Sequence, residues 1–383
     1  MKWKTKRLGE VCSLTKGKNP NSFTSNGTKP YLTAKVVRQT ENPRFVQEND
    51  PSAVFVNPDD IVIIMDGSNS GEMFTNLDGV LASTMGIVRY QKETLTSRFL
   101  LHFLVSHRQS FANSRTGSAI PHLSREKFEN LDIPIPSLPE QYRIVKILDE
   151  TFEQIAKVKD NLVQNLQNVK NLYSSALASV IEQKGAGWKS QRLKDVCEKI
   201  TDGTHQTPTY FDDGIIFLSS RNVTTGTIDW QRIKYIDNGQ HLEMSKRVAP
   251  RKYDILLAKN GTTGVAAMVD NDSVFDIYVS LALLRAKNMI LPKFLLYFIN
   301  SPIAKKQFNK RLKGIGVPNL HLEEIREVNL WFPVSLEEQQ SIVSRLDALS
   351  AQIKKLESIY KQKLIALEEL KKSILQKAFA GEL

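Results

Sequence analysis

The ten residues EQYRIVKILD, Glu140 to Asp149, are written again as EQQSIVSRLD, Glu338 to Asp347, with six positions identical. A charged, amphipathic stretch repeated almost two hundred residues apart raises the question of duplication, which decides a fold before any local pattern does. Three further landmarks answer it. WKTKRLGEVC (Trp3 to Cys12) recurs as WKSQRLKDVC (Trp188 to Cys197). DIVII (Asp60 to Ile64) recurs as DILL (Asp254 to Leu257), each followed by a small polar loop, DGSNSG (Asp66 to Gly71) and NGTTG (Asn260 to Gly264). GSAIPHL (Gly117 to Leu123) recurs as GIGVPNL (Gly314 to Leu320). The landmarks keep their order while their offset grows from 185 to 198, so the chain is two tandem units, about 1–184 and 185–383, the second slightly longer in its middle.

Each unit has the same internal plan. Its first part carries short apolar runs, among them IVIIM (Ile61 to Met65), GIIFL (Gly214 to Leu218), DILLA (Asp254 to Ala258) and VSLALLRA (Val279 to Ala286), punctuated by Gly, Asn, Asp and Pro. That is the pattern of short strands joined by turns. One helical patch is expected per unit, at Ser97 to Phe111 and at Pro292 to Phe308, where apolar residues recur at helical spacing.

The second part is different. After the proline-rich IPIPSLP (Ile133 to Pro139), expected to be non-helical, a stripe runs through Ile144, Leu148, Ile155, Leu162, Leu166, Val169 and Tyr173, with no proline or glycine until Gly185. After Pro333 the matching stripe is Ile342, Leu346, Leu349, Ile353, Leu356, Tyr360, Leu367, Leu370 and Ile374, with Lys361 to Leu364 as a local irregularity. Steps of three and four are the coiled-coil signature. A helix of roughly 40 to 45 residues spans on the order of 60 to 65 Å, and alone it would leave its stripe wet. Packing on its own domain, pairing with another chain and pairing of the two helices all cover it; matched lengths and stripes favour pairing. The expected fold is α/β: two similar β-rich α/β domains, 1–139 and 185–337, each followed by a long helix, 140–184 and 338–383, the helices forming an antiparallel coiled coil.

With 383 residues the chain is long enough for more than one core. No run approaches eighteen apolar residues and MKWKTKRLGEV lacks the apolar core of a signal peptide, so a cytoplasmic location is expected. Cys12 and Cys197 have no neighbouring cysteine and read as buried thiols. The net charge of +11 permits an anionic partner. It divides as +4 over 1–139, 0 over 140–184, +5 over 185–337 and +2 over 338–383, so any broad polyanion surface belongs chiefly to the two domains.

Enzyme signatures are missing. TKGKNP (Thr15 to Pro20) lacks phosphate-loop spacing, and GxGxxG, HExxH, GxSxG and the methyltransferase Asn/Asp-Pro-Pro-aromatic tetrad are absent. Asp59, Asp60 and Asp66, or Asp270 and Asp272, could be imagined as a nuclease metal group, but acids beside turns ordinarily face solvent. No metal site is expected. Polar loops beside glycine are easier to find. In the first unit they offer Lys16, Lys18, Lys35, Arg38, Ser68, Asn69 and Arg115, in the second Thr204, His205, Arg221, Asn222, Lys259, Asn260, Thr262, Thr263 and Lys313. Such residues meet phosphate through side chains and close backbone amides and read base edges through amide and guanidinium groups. Each loop alone is equally a structural turn. Lys305, Lys306, Lys310, Arg311 and Lys313 read equally as the wet face of a helix and its exit, and Trp3 and Trp188 as core anchors.

The chain resembles the specificity subunit of type I restriction-modification systems over essentially its full length. The resemblance is carried by the paired WK...RLxxVC-like starts, ITDGTHQTP (Ile200 to Pro208) with GIIFLSSRNV (Gly214 to Val223), the G...(I/V)P(H/N)L segments and the repeated LPEQ/LEEQ...IVxxLD passages. It implies a non-catalytic chain in which each domain is a target-recognition domain reading half of a bipartite, asymmetric sequence of double-stranded DNA. The helical regions, Pro134 to Lys184 and Pro333 to Leu383, would set the spacing and engage two modification subunits. Those would bring S-adenosylmethionine to methylate adenine at N6, and two restriction subunits would add cleavage driven by ATP with magnesium. No cofactor is expected in this chain, no membrane partner, and self-association when isolated is allowed. The alternatives are a coiled-coil adaptor that binds proteins and a self-contained nuclease.

Overall fold

The computed structural model describes residues 3–25, 28–48, 50–67, 69–108, 110, 122–183, 185–223, 226–312 and 319–383. The chain forms two compact units, Met1–Leu162 with Gln362–Leu383, and Val163–Lys361. Among the described residues no helix is long and apolar enough to cross a membrane.

In the first unit an antiparallel sheet runs in the order Cys12–Lys16, Met85–Tyr90, Ile61–Ile64, Met73–Phe74. A second sheet runs Phe45–Val46, Lys29–Leu32, Gly79–Leu81, Phe55–Val56, its middle pair parallel. The second unit repeats the plan. Cys197–Asp202, Leu281–Ala286, Ile255–Ala258 and Ala266–Met268 form the first sheet, and Lys234–Ile236, Ile215–Leu218 and Phe275–Ile277 the second, where the last two strands are again parallel. Each unit is closed by an antiparallel pair, Lys4–Arg7 with Asp132–Ile135 and Trp188–Arg192 with Asn329–Pro333.

The central strands explain the unbroken apolar runs. Ile61 and Ile63 point into a core with Phe99, Leu100 and Phe103, while Val62 and Ile64 point into a core with Leu32, Val56 and Leu81. Ile255 and Leu257 face Phe294 and Phe298, while Leu256 and Ala258 face Phe275 and Ile277. A strand covered on both faces has no polar face to alternate with. Cys12 and Cys197 are free and buried, and burial pushes both thiols up to about 12.

The helical patches differ from expectation. The first is interrupted by a turn at His107 after the helix Ser97–Ser106; Arg108 and Ser110 are again helical, and Gln109 and Phe111 lie outside the described residues. The second is two helices, Pro292–Asn300 and Pro302–Asn309. Pro302 forces the preceding residue out of the helical region; Ser301 is extended and caps the next helix by accepting from the Ala304 N–H at 3.2 Å.

The long helices are Leu138–Glu182 and Leu336–Ala380, 45 residues each. The first begins inside the stretch expected to be non-helical. Asp132–Ile135 is a strand, but Pro139 occupies the first helical turn, where a missing N–H costs no bond.

Five of the six identities of the repeated decapeptide dock each helix to the domain before it, and the sixth, the glutamate, does so only in the second copy. Gln141 is fully buried, accepts from Thr96 N (2.8 Å) and donates to Thr94 O (2.8 Å) and Pro136 O (3.1 Å). Gln339, equally buried, accepts from Leu291 N (2.8 Å) and donates to Met289 O (3.0 Å) and Pro333 O (2.9 Å). Ile144, Val145 and Leu148 enter one core, Ile342, Val343 and Leu346 the other. Asp149 takes Arg98 and His102, while Asp347 takes Lys293 and the Tyr297 hydroxyl. Glu140 pairs with Arg143, and Glu338 accepts from the Trp188 indole at 2.9 Å.

Within each unit the helical segments pair antiparallel. In the first, Lys159 bonds Glu368 (2.7 Å), Lys371 lies over Phe152 (4.9 Å) and Arg143 donates to Leu383 O (2.7 Å). In the second, Tyr173, Leu177 and Ile181 pack with Ile342, Val343 and Leu346, and Tyr173 meets Ser350. Ile144, Leu148, Leu162, Val169, Ile342, Leu346 and Ile353 are buried, and Ile155, Leu166, Tyr173, Leu349, Tyr360, Leu367 and Ile374 half-buried. Leu356 and Leu370 are a correction: they are 39% and 47% exposed. The stripe takes an extra four-residue step from Ile353 to Glu357 and then alternates through Tyr360, Leu364, Leu367, Lys371 and Ile374; Glu357, Leu364 and Lys371 are all half-buried, so Leu364 belongs to the stripe. At Lys371 the aliphatic stem fills the apolar position while the ammonium reaches over Phe152.

Candidate nucleic-acid interface

The polar loops gather where the central strands end. In the second unit the strand Cys197–Asp202 delivers Asp202 beside Lys259, which follows the strand Ile255–Ala258. Both are buried, 2% and 6% exposed, and their charged atoms meet at 2.8 Å. Arg247 adds a guanidinium contact to Asp202 Oδ1 at 2.5 Å, and His205 Nε2 lies 3.3 Å from the same oxygen. Burial pushes the Asp202 carboxyl up, but hydrogen bonds from Lys259 and Arg247 more than offset it and hold it below the usual range. One carboxylate facing two permanent cations leaves the knot net positive.

In the first unit the corresponding strand end is Lys16, bonded to Asp66 at 2.9 Å, and Asp66 also meets His122 Nδ1 at 2.7 Å. Burial pushes the Asp66 carboxyl up; His122 and Lys16 bring it below its ordinary value. The backbones match. Leu123 N donates to Met65 O and Leu320 N to Lys259 O, both at 2.8 Å. Asp66 bridges His122 where Asn260 bridges Asn319. Gly17 and Gly203 match as well: a Cβ there would lie 2.2 Å from Ala82 O and 1.8 Å from Ile277 O, so only glycine lets the chain pass this close to the second sheet. By these contacts Lys16 stands where Asp202 stands, and Met65 where Lys259 stands. One scaffold carries two different sets of charges.

The expected contact residues separate by position. Lys16, Lys18, Lys35, His205, Arg221 and Thr262 are exposed, and Thr204, Asn260 and Thr263 half-exposed. Lys35 approaches Glu41 at 3.9 Å. Arg38 pairs with Glu72, and with its amide turned to face Arg38, Asn69 accepts from both terminal guanidinium nitrogens at 3.2 Å. Lys259 lies beneath its loop, and Asn222 is buried with its amide bonded to Ser219 N, Asp229 O and Arg232 O. Ser68, Arg115 and Lys313 lie outside the described residues.

Sequence reasoning passed over Asp202, Arg247, His122 and Asn319 as site residues. The last two carried a signal, since they fill the H/N position of the repeated (I/V)P(H/N)L segments. Asp202 and Arg247 carried none, because their pairing joins strand end to helix 45 residues away. The acids weighed as metal ligands have other partners: Asp59 meets Lys92, Asp60 Arg89, Asp272 Lys252, and Asp270 accepts from Trp230. Among the described residues no three His, Cys, Asp or Glu side chains are grouped to hold a metal ion.

A sequence profile described as the Type I restriction modification DNA specificity domain matches residues 1–167 and again 186–367. The chain is 27% identical to the type I restriction enzyme MjaVIII specificity subunit of Methanocaldococcus jannaschii, covering 100% of this chain and 93% of that one. It is 25% identical to the EcoBI specificity subunit of Escherichia coli, covering 100% and 86%. A chain solved in work on assembly and conformational transition of the type I R-M system superposes with a TM-score of 0.78 at 23% identity, covering 100% and 98%. The HsdS subunit from Thermoanaerobacter tengcongensis gives 0.55 at 22% identity, covering 100% and 97%. The solved chains share the fold.

Proposed function

The chain belongs to the type I restriction modification DNA specificity family, and from that premise we propose that its two domains read the two unlike halves of one bipartite DNA site. As a specificity subunit it is the DNA-recognition component of its complex, not a catalytic one. The observation that carries the two-half reading is the exchange of charge on a common scaffold: Lys16, Asp66 and His122 in one domain against Asp202, Lys259, Asn260 and Asn319 in the other. Equal scaffolds with unequal side chains suit an asymmetric site, because base edges are distinguished by donor and acceptor pattern.

In this reading the exposed Lys16, Lys18, Lys35, His205, Arg221 and Thr262 face the duplex, with Thr204, Asn260 and Thr263 beside them. Lys259 and Asn222 hold loop shape from beneath, as Arg38 does for Asn69. Ser68, Arg115 and Lys313 remain proposed DNA contacts. The paired helices fix the separation of the half-sites and present the surfaces on which two modification subunits dock. Those subunits supply S-adenosylmethionine for methylation of adenine N6, and two restriction subunits supply ATP- and magnesium-dependent cleavage.

Mapping methylated adenines in DNA exposed to the assembled complex tests the proposal. Two different half-sites at a fixed separation are expected, and four residues inserted near Asn165 should change that separation or block assembly. Methylation without a bipartite consensus, or no sequence-selective retention of DNA, would leave a protein-binding adaptor as the better description.

A further inference from the structure

Beside the strand-end loops each domain carries an exposed cation stacked on a half-exposed ring. In the first unit the Arg44 guanidinium carbon lies 3.7 Å from the centroid of Phe23, which meets Tyr31 edge-on at 5.1 Å. In the second, Lys234 Nζ lies 3.7 Å from the centroid of Tyr210, which meets Phe217 at 6.0 Å. Phe23 and Tyr210 are 39% and 40% exposed.

The two platforms occupy one place in the fold. Thr24, next to Phe23, donates to Phe45 O, and Phe211, next to Tyr210, donates to Tyr235 O. Tyr31 N bonds Arg44 O, while Phe217 faces Lys234 in the strand register. All three identities differ, Phe-Tyr-Arg against Tyr-Phe-Lys, while each cation keeps its 3.7 Å distance from the outer ring. Divergence at every position with the arrangement retained points to the presented charge rather than to a particular packing contact.

The electrostatic setting supports this. Among the described residues neither Arg44 nor Lys234 forms an ion pair, whereas Lys16, Arg38, Arg232 and Arg247 nearby each face a carboxylate. A cation over an exposed ring gains little from the ring itself, but its long side chain is already ordered, which lowers the entropic cost of meeting an anion. Both platforms adjoin the proposed reading loops. Tyr31 donates to Asn19 at 2.9 Å, just past Lys18, and Phe217 meets the ring of Tyr278, whose hydroxyl is 3.5 Å from Thr207 and whose backbone bridges Thr204.

We infer that Arg44 on Phe23 and Lys234 on Tyr210 are a matched pair of phosphate clamps, one per domain, gripping the DNA backbone beside the base-reading loops. The inference rests on the DNA-reading role proposed above. Because phosphate contacts are blind to sequence, a random-sequence duplex of about 40 base pairs is a sufficient probe, titrated with the full chain over graded salt.

Arg44→Met and Lys234→Met keep a flexible stem on the ring and remove the charge. Each should lower the slope of log affinity against log salt by roughly one and the double variant by about two. Arg44→Lys should keep the wild-type slope. Phe23→Leu should keep the slope and weaken binding, because the cation remains but loses its platform. Circular dichroism and melting curves matching wild type establish that the variants are folded. A wild-type slope in the double Met variant overturns the clamps while leaving DNA reading intact, and the same slope with lost docking of the modification subunit assigns the platforms to a protein partner instead. Absence of salt-dependent binding by the wild-type chain, alone and assembled, removes the reading on which the clamps rest.

Discussion

Replacing Gln339 by Met tests whether the repeated decapeptide is an anchor. Methionine preserves approximate size and removes every hydrogen bond of the amide. Leu291 N–H and the carbonyls of Met289 and Pro333 then lose their partner at a site with no solvent access. Each buried polar group left unpaired costs about 1–3 kcal/mol. The apolar side chain returns on the order of 1 kcal/mol by transfer, so the net cost should be about 4 kcal/mol, a large share of a typical domain's ~5–15 kcal/mol. Hydrogen exchange followed by mass spectrometry reads it by segment. Amides of Leu281–Ala286 and of 336–346 should exchange about a thousandfold faster under conditions where exchange reports the opening equilibrium. Gln340→Met, one residue on and exposed, should change protection by less than about 0.5 kcal/mol. A cost below about 1 kcal/mol for Gln339→Met would refute the anchor, because it would mean that water or local rearrangement satisfies all three backbone groups.

Asp202→Asn leaves Lys259 buried without its counter-charge and should cost about 3–5 kcal/mol in chemical denaturation. Since the folded Asp202 carboxyl lies below its unfolded value of about 3.9, its contribution is present above that pH and is lost as pH falls through the folded value; the variant should therefore show a shallower loss of stability in acid. Cys12 and Cys197, buried and with pKa values pushed up to about 12, should resist alkylation at pH 8 in the native chain and react on unfolding, as mass spectrometry would record. Leu364→Gln should destabilise helix pairing more than Leu370→Gln, read by thermal melting, because Leu364 is half-buried in the stripe and Leu370 is 47% exposed.

The legible parts of this molecule are those in which one local pattern and one tertiary role coincide. Gln141 and Gln339 could be seen as repeated, and burial explains why the repetition is strict, but their six backbone partners lie outside any spacing rule. Leu356 and Leu370 misled because the seven-residue repeat of Ile342 and Leu349 runs on through them, whereas the covered face shifts by one residue after Ile353 and continues through Glu357, Leu364 and Lys371. Lys259 and Asn222 looked like loop donors because they stand beside glycine or serine. What turns them inward is Asp202 and the carbonyls of Asp229 and Arg232, partners chosen by strand pairing and loop closure. Comparing the halves supplies what spacing lacks, since each is a natural variant of the other on the same backbone. Where both keep residue and contact, as at Gln141 and Gln339, the role is structural. Where the backbone is kept and the charge exchanged, as at Lys16 and Asp202, packing does not dictate the side chain and recognition is free to differ. Exchanging Met65 and Lys259 between the halves separates these cases: Met65→Lys should be tolerated only together with a carboxylate at position 16, because the buried ammonium needs the counter-ion that Asp202 provides in the second domain.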